Sequence, residues 1–300
     1  MAGAGFAPRV AVVGPGVVGQ TIGRLLREAG FNVISIAGRT VARARAAAGF
    51  IGGGVRVVRM PCEAVRGADI VFLTTPDRAL KAVCDVIAES NAWSEGTTVF
   101  HCSGALGPEV LASARRAGAQ VGALHPIQTF PSPAEAVRRM KGTWFTFDGD
   151  AGARRVAARV VKALGGRLTG SRPRNRVMYH AALCVLSNYG VALADMADAM
   201  LRGSGLSATD AALAIHPLMI GTVENIAALG PARALTGPIA RGDAETVAAH
   251  LRSLGRLPAE VRRLYAYLGL YTVRLARKKG TLAASHARRL NLLLRSAARA

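Results

Sequence analysis

Short runs of β-branched and aromatic residues alternate with helical segments through the first half of the chain. Eight runs have the length and composition of buried strands: 9–14, 31–36, 55–58, 69–75, 97–102, 120–124, 143–147 and 167–169. Between most of them, segments such as 17–29 and 151–164 space valine, leucine and alanine as a helix does. This alternation predicts βαβ units and a mostly parallel sheet that is covered on both faces.

The pattern changes from about Pro173 onward, where the periodicity is helical throughout. Five segments rich in alanine and leucine follow, separated by glycine or proline: 175–200, 208–229, 243–254, 258–278 and 281–298. We therefore predict an α/β fold, with a doubly wound, mostly parallel sheet in residues 1–172 and an all-helical domain in residues 173–300.

Composition excludes several classes of protein. A chain of 300 residues, 51% of them hydrophobic, is long enough to form two cores, which excludes a disordered chain or a disulfide-stapled miniprotein. No run of 18 uncharged apolar residues occurs, so we expect no membrane span. Four cysteines have spacings that fit neither a metal site nor a disulfide framework: Cys62, Cys84, Cys102 and Cys184. Because the chain also begins without a signal-peptide pattern, we expect a cytoplasmic protein that binds no metal.

The formal net charge of +21 raises the question of a nucleic-acid partner. Most of the basic residues are arginines, which together with abundant alanine and glycine is typical of a GC-rich genome. Twelve basic residues but only one acid, Glu260, lie in residues 251–300. This stretch is either a solvated basic surface or a region that attracts phosphate-bearing ligands. Because no aromatic stacking face or helix-turn-helix spacing accompanies the charge, we expect no nucleic-acid partner.

A glycine-rich turn follows the first predicted strand and opens a helix. It reads Gly14-Pro15-Gly16-Val17-Val18-Gly19. In this context the pattern is the fingerprint of a Rossmann dinucleotide-binding domain. Gly14 permits the tight turn, Gly16 lets the backbone approach a pyrophosphate, and Gly19 lets the helix pack closely on the strand. The first residues of the helix, Val17 and Val18, present its N-terminus to the anion.

The end of the second strand distinguishes between nicotinamide cofactors. NAD sites usually place an acidic residue about 20 residues beyond the turn, where it binds the ribose 2′-hydroxyl. This chain has Arg39 and Thr40 there instead. Arg39 can pair with a 2′-phosphate and Thr40 can donate its hydroxyl, which favours NADP. The alternative is that Arg39 only begins the next helix.

Polar residues also follow the fourth and fifth predicted strands, in the segments Thr74-Thr75-Pro76-Asp77 and His101-Cys102-Ser103-Gly104. Ligands of open α/β sheets bind at the carboxyl ends of the strands. Thr75, Pro76 and Ser103 are therefore candidate cofactor contacts. Asp77 either contacts the nicotinamide ribose or is the N-cap of a helix over 78–88.

The first helix of the second half carries a candidate catalytic face. At 100° per residue, Arg176, His180 and Ser187 fall on one polar stripe of a largely apolar helix, and we expect apolar neighbours to bury this stripe. His180 can act as a general acid toward a nascent alkoxide, and Arg176 can hold a substrate carboxylate. Asn188 lies to one side and would orient the substrate. The alternative is that His180 is an ordinary hydrogen-bonded core residue.

Farther along, the segment Leu235 to Asp243 separates two predicted helices. Turn chemistry accounts for Gly242 as the end of a helical turn and for Asp243 as an N-cap. Arg241 has no such role. It is either a surface arginine or a second contact for an anion.

Six segments together resemble the two-domain Rossmann-like oxidoreductases of the NADP- and deazaflavin-linked superfamily, whose helical half is a domain of unknown function. They are GPGVVG, TTPDRAL, HCSGAL, LHPIQTF (124–130), YHAALCVLSNY (179–189) and LTGPIARGD (235–243). This family is similar to ketopantoate reductase, pyrroline-5-carboxylate reductase and the 6-phosphogluconate dehydrogenase group. The resemblance implies an NADP-dependent reductase of a small carbonyl compound, with 2-dehydropantoate (ketopantoate) as the best single substrate and the substrate bound between the domains.

The resemblance also implies a set of site residues. Gly14, Gly16, Gly19 and Arg39 correspond to cofactor contacts. Residues of the substrate cleft are His125, Gln128, His180, Ser187, Asn188, Thr236 and Arg241. Related reductases have a lysine where this chain has Arg176 and an asparagine where it has His180. Because an arginine stays protonated and is a poor proton donor, His180 is the predicted donor.

Two further expectations complete the prediction. The apolar segments 208–229 and 258–298 offer more apolar surface than one small bundle needs, which predicts a homodimer. The alternatives to a reductase are a dinucleotide-binding sensor or scaffold that lacks catalysis, supported by the missing lysine, and an oxidoreductase linked to a deazaflavin.

Overall fold

The computed structural model describes residues 7–299. Within them the strands are β1 Arg9–Val13, β2 Asn32–Ala37, β3 Arg56–Val58, β4 Ile70–Leu73, β5 Thr98–His101, β6 Gln120–Pro126, β7 Trp144–Gly149 and β8 Arg167–Leu168. Each predicted strand is present, with ends that shift by one or two residues. The predictions hold because most strands are buried on both faces and are therefore continuous apolar runs.

The helices of this half are α1 Val17–Glu28, α2 Val41–Ile51, α3 Pro61–Val65, α4 Asp77–Glu89, α5 Ala112–Arg116, α6 Pro133–Arg139 and α7 Ala151–Ala163. A 3₁₀ turn at Pro108–Leu111 precedes α5. The strands of residues 7–299 form one sheet in the order β3-β2-β1-β4-β5-β6-β7-β8. All neighbours are parallel except β6 and β7. The chain order turns back beside β1, so the carboxyl ends of β1 and β4 flank the switch point at which such sheets bind ligands.

Two apolar clusters cover the two faces of the sheet. One packs Val10, Val12 and Phe100 against α1, α2 and α7. The other packs Ala11 and Val13 against α3, α4 and α5. Successive residues of β1 thus enter opposite clusters, as the period-2 geometry of a strand requires. The doubly wound α/β architecture is confirmed.

The second half is helical, as predicted. Its helices are α8 Arg176–Leu186, α9 Asn188–Gly203, α10 Ala208–Leu229, α11 Pro231–Ala234, α12 Pro238–Arg241, α13 Ala244–Ser253, α14 Ala259–Lys279 and α15 Ala284–Arg299. The expectation of one continuous helix over 175–200 is wrong. At Ser187 the backbone turns to φ −101°, ψ −70°, which separates α8 from α9.

The chain forms two compact units, Met1–Asn188 and Tyr189–Ala300. The boundary predicted near residue 172 coincides with the change from strands to helices. The division between the two compact units lies after the next helix, α8, at Asn188. Helix α8 therefore belongs to the sheet unit together with the glycine-rich turn. Arg176 and His180 lie in that unit for the same reason.

The helical unit has its core among α12, α13, α14 and α15, around residues such as Val247, Val273, Leu290 and Leu294. Helices α9 and α10 contribute little to it, because Ala211 is their only buried residue. Large apolar side chains on them are exposed, including Val191 at 72% and Leu218 at 73%. The excess of apolar surface expected on residues 208–229 is therefore present.

Two helical stretches, Arg176–Gly203 and Ala208–Leu229, are long and apolar enough to cross a membrane, with a mean hydropathy of 1.4. The sequence criterion excluded them because polar residues such as His180 and Asn188 interrupt the apolar run. One or two helices of this kind are weak evidence for a membrane protein.

Candidate functional site

The glycine-rich turn lies between the carboxyl ends of β2 and β4. The Gly14 amide donates to the Ala37 carbonyl at 2.9 Å, and the Thr74 hydroxyl donates to the Gly14 carbonyl at 2.8 Å. Gly14 has φ +116°, and a Cβ atom there would lie 2.6 Å from the backbone carbonyl carbon of Thr74. Only glycine satisfies both the dihedral angle and this close approach.

The other two glycines of the turn, Gly19 and Gly16, differ in why a side chain is excluded. A Cβ on Gly19 would overlap the Gly14 carbonyl oxygen, so this glycine lets α1 pack against the turn. A Cβ on Gly16 would meet only the Thr74 carbonyl oxygen, at 4.0 Å. Packing does not require glycine there, whereas close approach of a ligand does. No side chain caps the N-terminus of α1, so the amides of Val17 and Val18 are placed to bind a pyrophosphate.

Arg39 and Thr40 lie beside this turn. The preceding residue, Gly38, is so close to Pro15 that a Cβ would lie 2.6 Å from its ring. The Arg39 side chain is exposed, and no ion pair or hydrogen bond within residues 7–299 involves its guanidinium. Thr40 is the N-cap of α2 but makes no capping hydrogen bond. The donors needed to bind a 2′-phosphate are therefore uncommitted.

Thr75 supplies a further free donor at the end of β4. Its hydroxyl is buried and has no hydrogen-bond partner among the described residues. Its backbone nitrogen would lie 2.8 Å from a Cβ on Gly14, so Thr75 borders the glycine-rich turn. Pro76, another predicted contact, is exposed and is the N-cap of α4. A buried hydroxyl without a partner is costly unless a ligand satisfies it.

Asp77 is not the N-cap of α4, contrary to one of the two interpretations. It is the first residue of the helix, and its carboxylate accepts a 2.6 Å hydrogen bond from the Ser103 hydroxyl. The same hydroxyl accepts from the amides of Ala105 and Leu106. Ser103 thus connects α4 to the turn after β5.

Arg176 binds to this turn from α8. Its Nη2 donates to the Ser103 carbonyl at 2.9 Å, and the residue is only 8% exposed. Its Nε and Nη1 are buried without a partner among the described residues. Burial lowers the pKa of the guanidinium, while Asp148 and Glu109 raise it. Two donors of a buried cation are thus available to an anionic group.

A cavity of about 400 Å³ adjoins Arg176 within the sheet unit. Charged residues in its wall are Glu109, Asp148, Arg174 and Arg176. Asp148 forms a 2.8 Å ion pair with Arg172, and Glu109 accepts a hydrogen bond from the Gly107 amide. Glu109 keeps its negative charge, while Arg174 and the two free donors of Arg176 can bind a carboxylate in this cavity.

Three of the six histidines lie around the ends of β5 and β6. His101 is fully buried; its Nε2 lies 3.0 Å from the Gly107 carbonyl oxygen, and its Nδ1 accepts from the Ser103 amide. With both nitrogens engaged, His101 holds the turn in place. Burial lowers its pKa to about 4.

His125 and His180 converge on Gly104. Their ring centroids are 6.4 Å apart, and a Cβ on Gly104 would lie 2.8 Å from His125 Nε2 and 2.6 Å from His180 Cδ2. Burial lowers the pKa of His125 to about 4. His180 Nδ1 lies 3.8 Å from Cys184 Sγ. The sequence-predicted residues Arg176, His125 and His180 thus belong to one polar cluster with Ser103.

Sequence reasoning missed Tyr179 and Thr146, which complete this cluster. Tyr179 Oη lies 2.8 Å from His125 Nδ1, and Thr146 Oγ1 donates to the same Oη at 3.3 Å. The sequence could have indicated Tyr179, because it is adjacent to His180 in the segment 179–189 that carries the resemblance. Thr146 carried no signal, because it lies inside a predicted strand.

Other residues predicted for the substrate site lie outside this polar cluster. Ser187 and Asn188 are exposed at the break between α8 and α9, so the expectation that Ser187 shares a buried stripe with Arg176 is wrong. The Gln128 amide is used locally: it donates to the carbonyl of Arg139 at the end of α6 and accepts from the amide of the next residue, Thr129.

Thr236 and Arg241 belong to the helical unit. Thr236 lines a cavity of about 920 Å³ there, together with residues such as Ile239 and Tyr265. Arg241 is exposed. The turn chemistry around it is confirmed, because Gly242 ends α12 in the left-handed conformation and Asp243 accepts from the Thr246 amide as the N-cap of α13.

Metal-binding groups of three or more histidine, cysteine, aspartate or glutamate side chains are absent from residues 7–299. All four cysteines are free, and burial raises the pKa of the Cys84 thiol.

Acid should destabilise the sheet unit well before its carboxylates titrate. Both His101 and His125 have a pKa of about 4 in the folded state against about 6.5 unfolded, so the unfolded chain binds more protons between these pH values. Stability should therefore fall from pH 7 to pH 5, by about 2 kcal/mol for each histidine. Urea unfolding followed by the fluorescence of Trp93 and Trp144, which both lie in this unit, measures the change. His125→Asn should remove about half of this loss of stability between pH 7 and pH 5. Equal stability of the wild-type protein at the two pH values would contradict the lowered pKa values of His101 and His125.

Comparisons with known proteins agree with this architecture. A model of a Rossmann-like domain matches residues 6–126, and a model of a domain of unknown function (DUF2520) matches residues 143–272. No curated protein sequence matches the chain. The protein therefore has a Rossmann-like fold followed by a helical region, and residues 143–272 are similar to that domain of unknown function.

Solved structures share the fold over nearly the whole chain. A Bacteroides fragilis protein assigned as an NADP oxidoreductase has a TM-score of 0.70 at 20% identity, and the match covers 98% of this chain and 99% of that one. An imine reductase from a Pseudomonas species has a TM-score of 0.65 at 20% identity, covering 97% and 99%. A reductive aminase from Aspergillus terreus, solved with NADPH and ethyl-5-oxohexanoate, has a TM-score of 0.62 at 17% identity, covering 98% and 94%.

Proposed function

We propose that the protein is an NADP-dependent oxidoreductase that reduces a small carbonyl compound or imine. The observation that carries the proposal is a set of uncommitted donors around the glycine-rich turn. The N-terminus of α1 is uncapped, the Thr75 hydroxyl is buried without a partner, and the Arg39 guanidinium is free. Together they match a pyrophosphate, a ribose and a 2′-phosphate.

The residues present fit NADP, because Gly16 leaves open the space that a dinucleotide backbone needs. Arg39 and Thr40 would hold the 2′-phosphate. Thr75 and Ser103 would border the other end of the bound dinucleotide, nearer the polar cluster. Bound NADPH supplies a hydride. The chain's own residues must then bind the substrate and deliver one proton to its heteroatom. In the predicted division of roles, Arg176 binds a carboxylate and His180 donates the proton.

Ketopantoate remains the best single substrate, because Arg176 offers two free donors to a carboxylate beside a cavity of about 400 Å³. The fold shared with an imine reductase and a reductive aminase makes C=N compounds the natural second class to test. The first experiment follows absorbance at the nicotinamide band with NADPH or NADH, ketopantoate, other 2-oxo acids and cyclic imines. Oxidation of NADPH that depends on one of these compounds supports the proposal. Clear NADPH binding without oxidation by any of them favours the dinucleotide-binding sensor, and reduction of a deazaflavin would favour that alternative.

Arg39→Ala should change the cofactor preference. Loss of a charge-assisted contact to the 2′-phosphate should weaken NADPH binding roughly 10-fold to 100-fold, which corresponds to about 1.5–3 kcal/mol. Affinity for NADH should change little, because NADH lacks that phosphate. Fluorescence titration of both cofactors measures the two dissociation constants. Arg159→Ala, an exposed arginine on α7, is the matched control; equal loss of NADPH and NADH binding would contradict the role of Arg39.

His180→Gln should lower kcat with little change in the dissociation constant of NADPH. A general acid typically contributes roughly 100-fold to 10,000-fold to the rate. Steady-state kinetics on the preferred substrate and an NADPH titration measure the two quantities. His216→Gln replaces an exposed histidine of α10 and should leave both unchanged. Wild-type turnover by His180→Gln would exclude His180 as the donor.

We also propose that the protein is a cytoplasmic homodimer that uses the exposed apolar faces of α9 and α10. A solvated helix pair that buries only Ala211 is not stable by itself, and a second copy offers the same apolar surface. Light scattering should give twice the 31.2 kDa chain mass, and Leu218→Glu should shift the protein toward the monomer. A wild-type monomer, or binding to lipid vesicles that Leu218→Glu abolishes, would overturn this assignment.

A further inference from the structure

Tyr179, His125 and Thr146 come from three different elements, α8, β6 and β7, and meet at one point. Tyr179 and His125 pack edge to face, with ring centroids 5.6 Å apart and planes at 86°. Such a contact holds both rings in one orientation. Thr146 is buried at 4% exposure, and the Tyr179 hydroxyl is the only hydrogen-bond partner of its side-chain hydroxyl within residues 7–299.

One direction of these hydrogen bonds, from Thr146 through Tyr179 to His125, selects a single tautomer of His125. Thr146 donates its hydroxyl hydrogen to Tyr179 Oη. The phenol hydrogen is then free to be donated to His125 Nδ1, 2.8 Å away. A neutral imidazole that accepts at Nδ1 carries its own hydrogen on Nε2. Neutrality is consistent with burial, which lowers the pKa of His125 to about 4.

The Nε2 hydrogen of His125 has no acceptor among the described residues. It points toward Gly104, at the carboxyl end of β5, and toward the ring of His180. This is the end of the sheet at which ligands bind in folds of this kind. A fixed donor without a protein acceptor at that position is suited to an acceptor atom of a ligand.

The charges around His125 favour one class of ligand. The charge that acts most strongly on His125 is that of the buried Arg176, whose Nε and Nη1 are free. The Asp77 carboxylate accepts from Ser103, and Asp148 is paired with Arg172. Asp77 keeps its negative charge and acts on His125, but less strongly than Arg176 does, so the net field at the rings is positive. Oxygen that gains negative charge is stabilised in such a field, whereas a protonated imine is repelled.

Accordingly, we infer that His125 donates a hydrogen bond from Nε2 to a substrate carbonyl oxygen, and that Tyr179 is a positioning residue that holds His125 in this tautomer. The inference rests on the proposed reductase function and narrows it to carbonyl compounds over protonated imines. Gly104 is part of the arrangement, because any side chain there would displace both imidazoles. The proton that completes the alcohol comes from His180 and is replaced from water.

The first test is independent of turnover. In protein labelled with ¹⁵N-histidine, NMR should show the His125 signals of the Nε2-protonated tautomer, and Tyr179→Phe should abolish this preference while retaining the packed ring. Tyr189→Phe, which changes an exposed tyrosine of α9, is the control for the substitution. A wild-type His125 protonated at Nδ1 would overturn the inference, and so would an unchanged tautomer in Tyr179→Phe. Thermal unfolding shows whether each variant is folded.

The second test uses kinetics with a 2-oxo acid and a cyclic imine at a pH where the imine is protonated. His125→Asn removes the donor and should lower kcat on the 2-oxo acid roughly 100-fold to 1,000-fold. His125→Gln keeps an N–H group near the Nε2 position and should recover part of this loss. The NADPH dissociation constant should be unchanged in both. Faster turnover of the imine than of the 2-oxo acid, or wild-type kcat in His125→Asn, would overturn the inference.

The two proposals fail in different ways. Absence of NADPH binding would defeat the proposed function, whereas the tautomer of His125 can be measured in the same sample. If NADPH binds but no substrate is turned over, the Nε2 tautomer and its loss in Tyr179→Phe still support the inference, and the Nδ1 tautomer still overturns it.

Discussion

The approach of β1 to β4 at the glycine-rich turn is the constraint on which the site depends. At Gly14 the two backbones are so close that a single methyl group would lie 2.6 Å from Thr74. This contact brings the N-terminus of α1, the end of β2 and the buried Thr75 hydroxyl to one point. Hydrogen bonds from the Thr74 hydroxyl and the Gly14 amide hold the turn open without using the groups that a dinucleotide would bind. The fold thus leaves its donors unsatisfied where a polar ligand can satisfy them.

A second polar centre depends on Arg176, whose burial needs explanation because an isolated buried cation is costly. Its Nη2 has a carbonyl partner in the Ser103 turn, while the charges of Asp148 and Glu109 offset part of the desolvation. These interactions do not use Nε or Nη1. A lysine at this position would present one compact charge, whereas the guanidinium can hold the turn with one nitrogen and keep others for a ligand. Under the proposed function, an arginine in place of the lysine that the resemblance implies leaves proton donation to His180.

Much of the fold could be predicted from the sequence, because strands buried on both faces and helices with one apolar face leave strong local patterns. The glycine-rich turn was predictable for the same reason, since backbone geometry restricts its residues. The helix break at Ser187 was not predicted, because Ser187, Asn188 and Gly190 interrupt the apolar pattern only briefly and helical spacing continues on both sides. The hydrogen bond between Tyr179 and Thr146 was not predictable either, since it joins residues 33 positions apart that only the tertiary structure brings together. The role of Asp77 depended in the same way on its distant partner Ser103.

The neutral state of His125 shows how burial and hydrogen bonding jointly determine chemistry here. Burial alone would make the imidazole neutral but would leave its hydrogen on either nitrogen. In the proposed network the hydroxyls of Tyr179 and Thr146 remove that ambiguity, because a hydrogen donated to Nδ1 leaves Nε2 as the donor. A charged imidazole would be penalised by the nearby guanidinium of Arg176 as well as by desolvation. The cluster can therefore combine a cation with a neutral donor in a small space, and this combination stabilises negative charge on oxygen better than it stabilises positive charge on nitrogen.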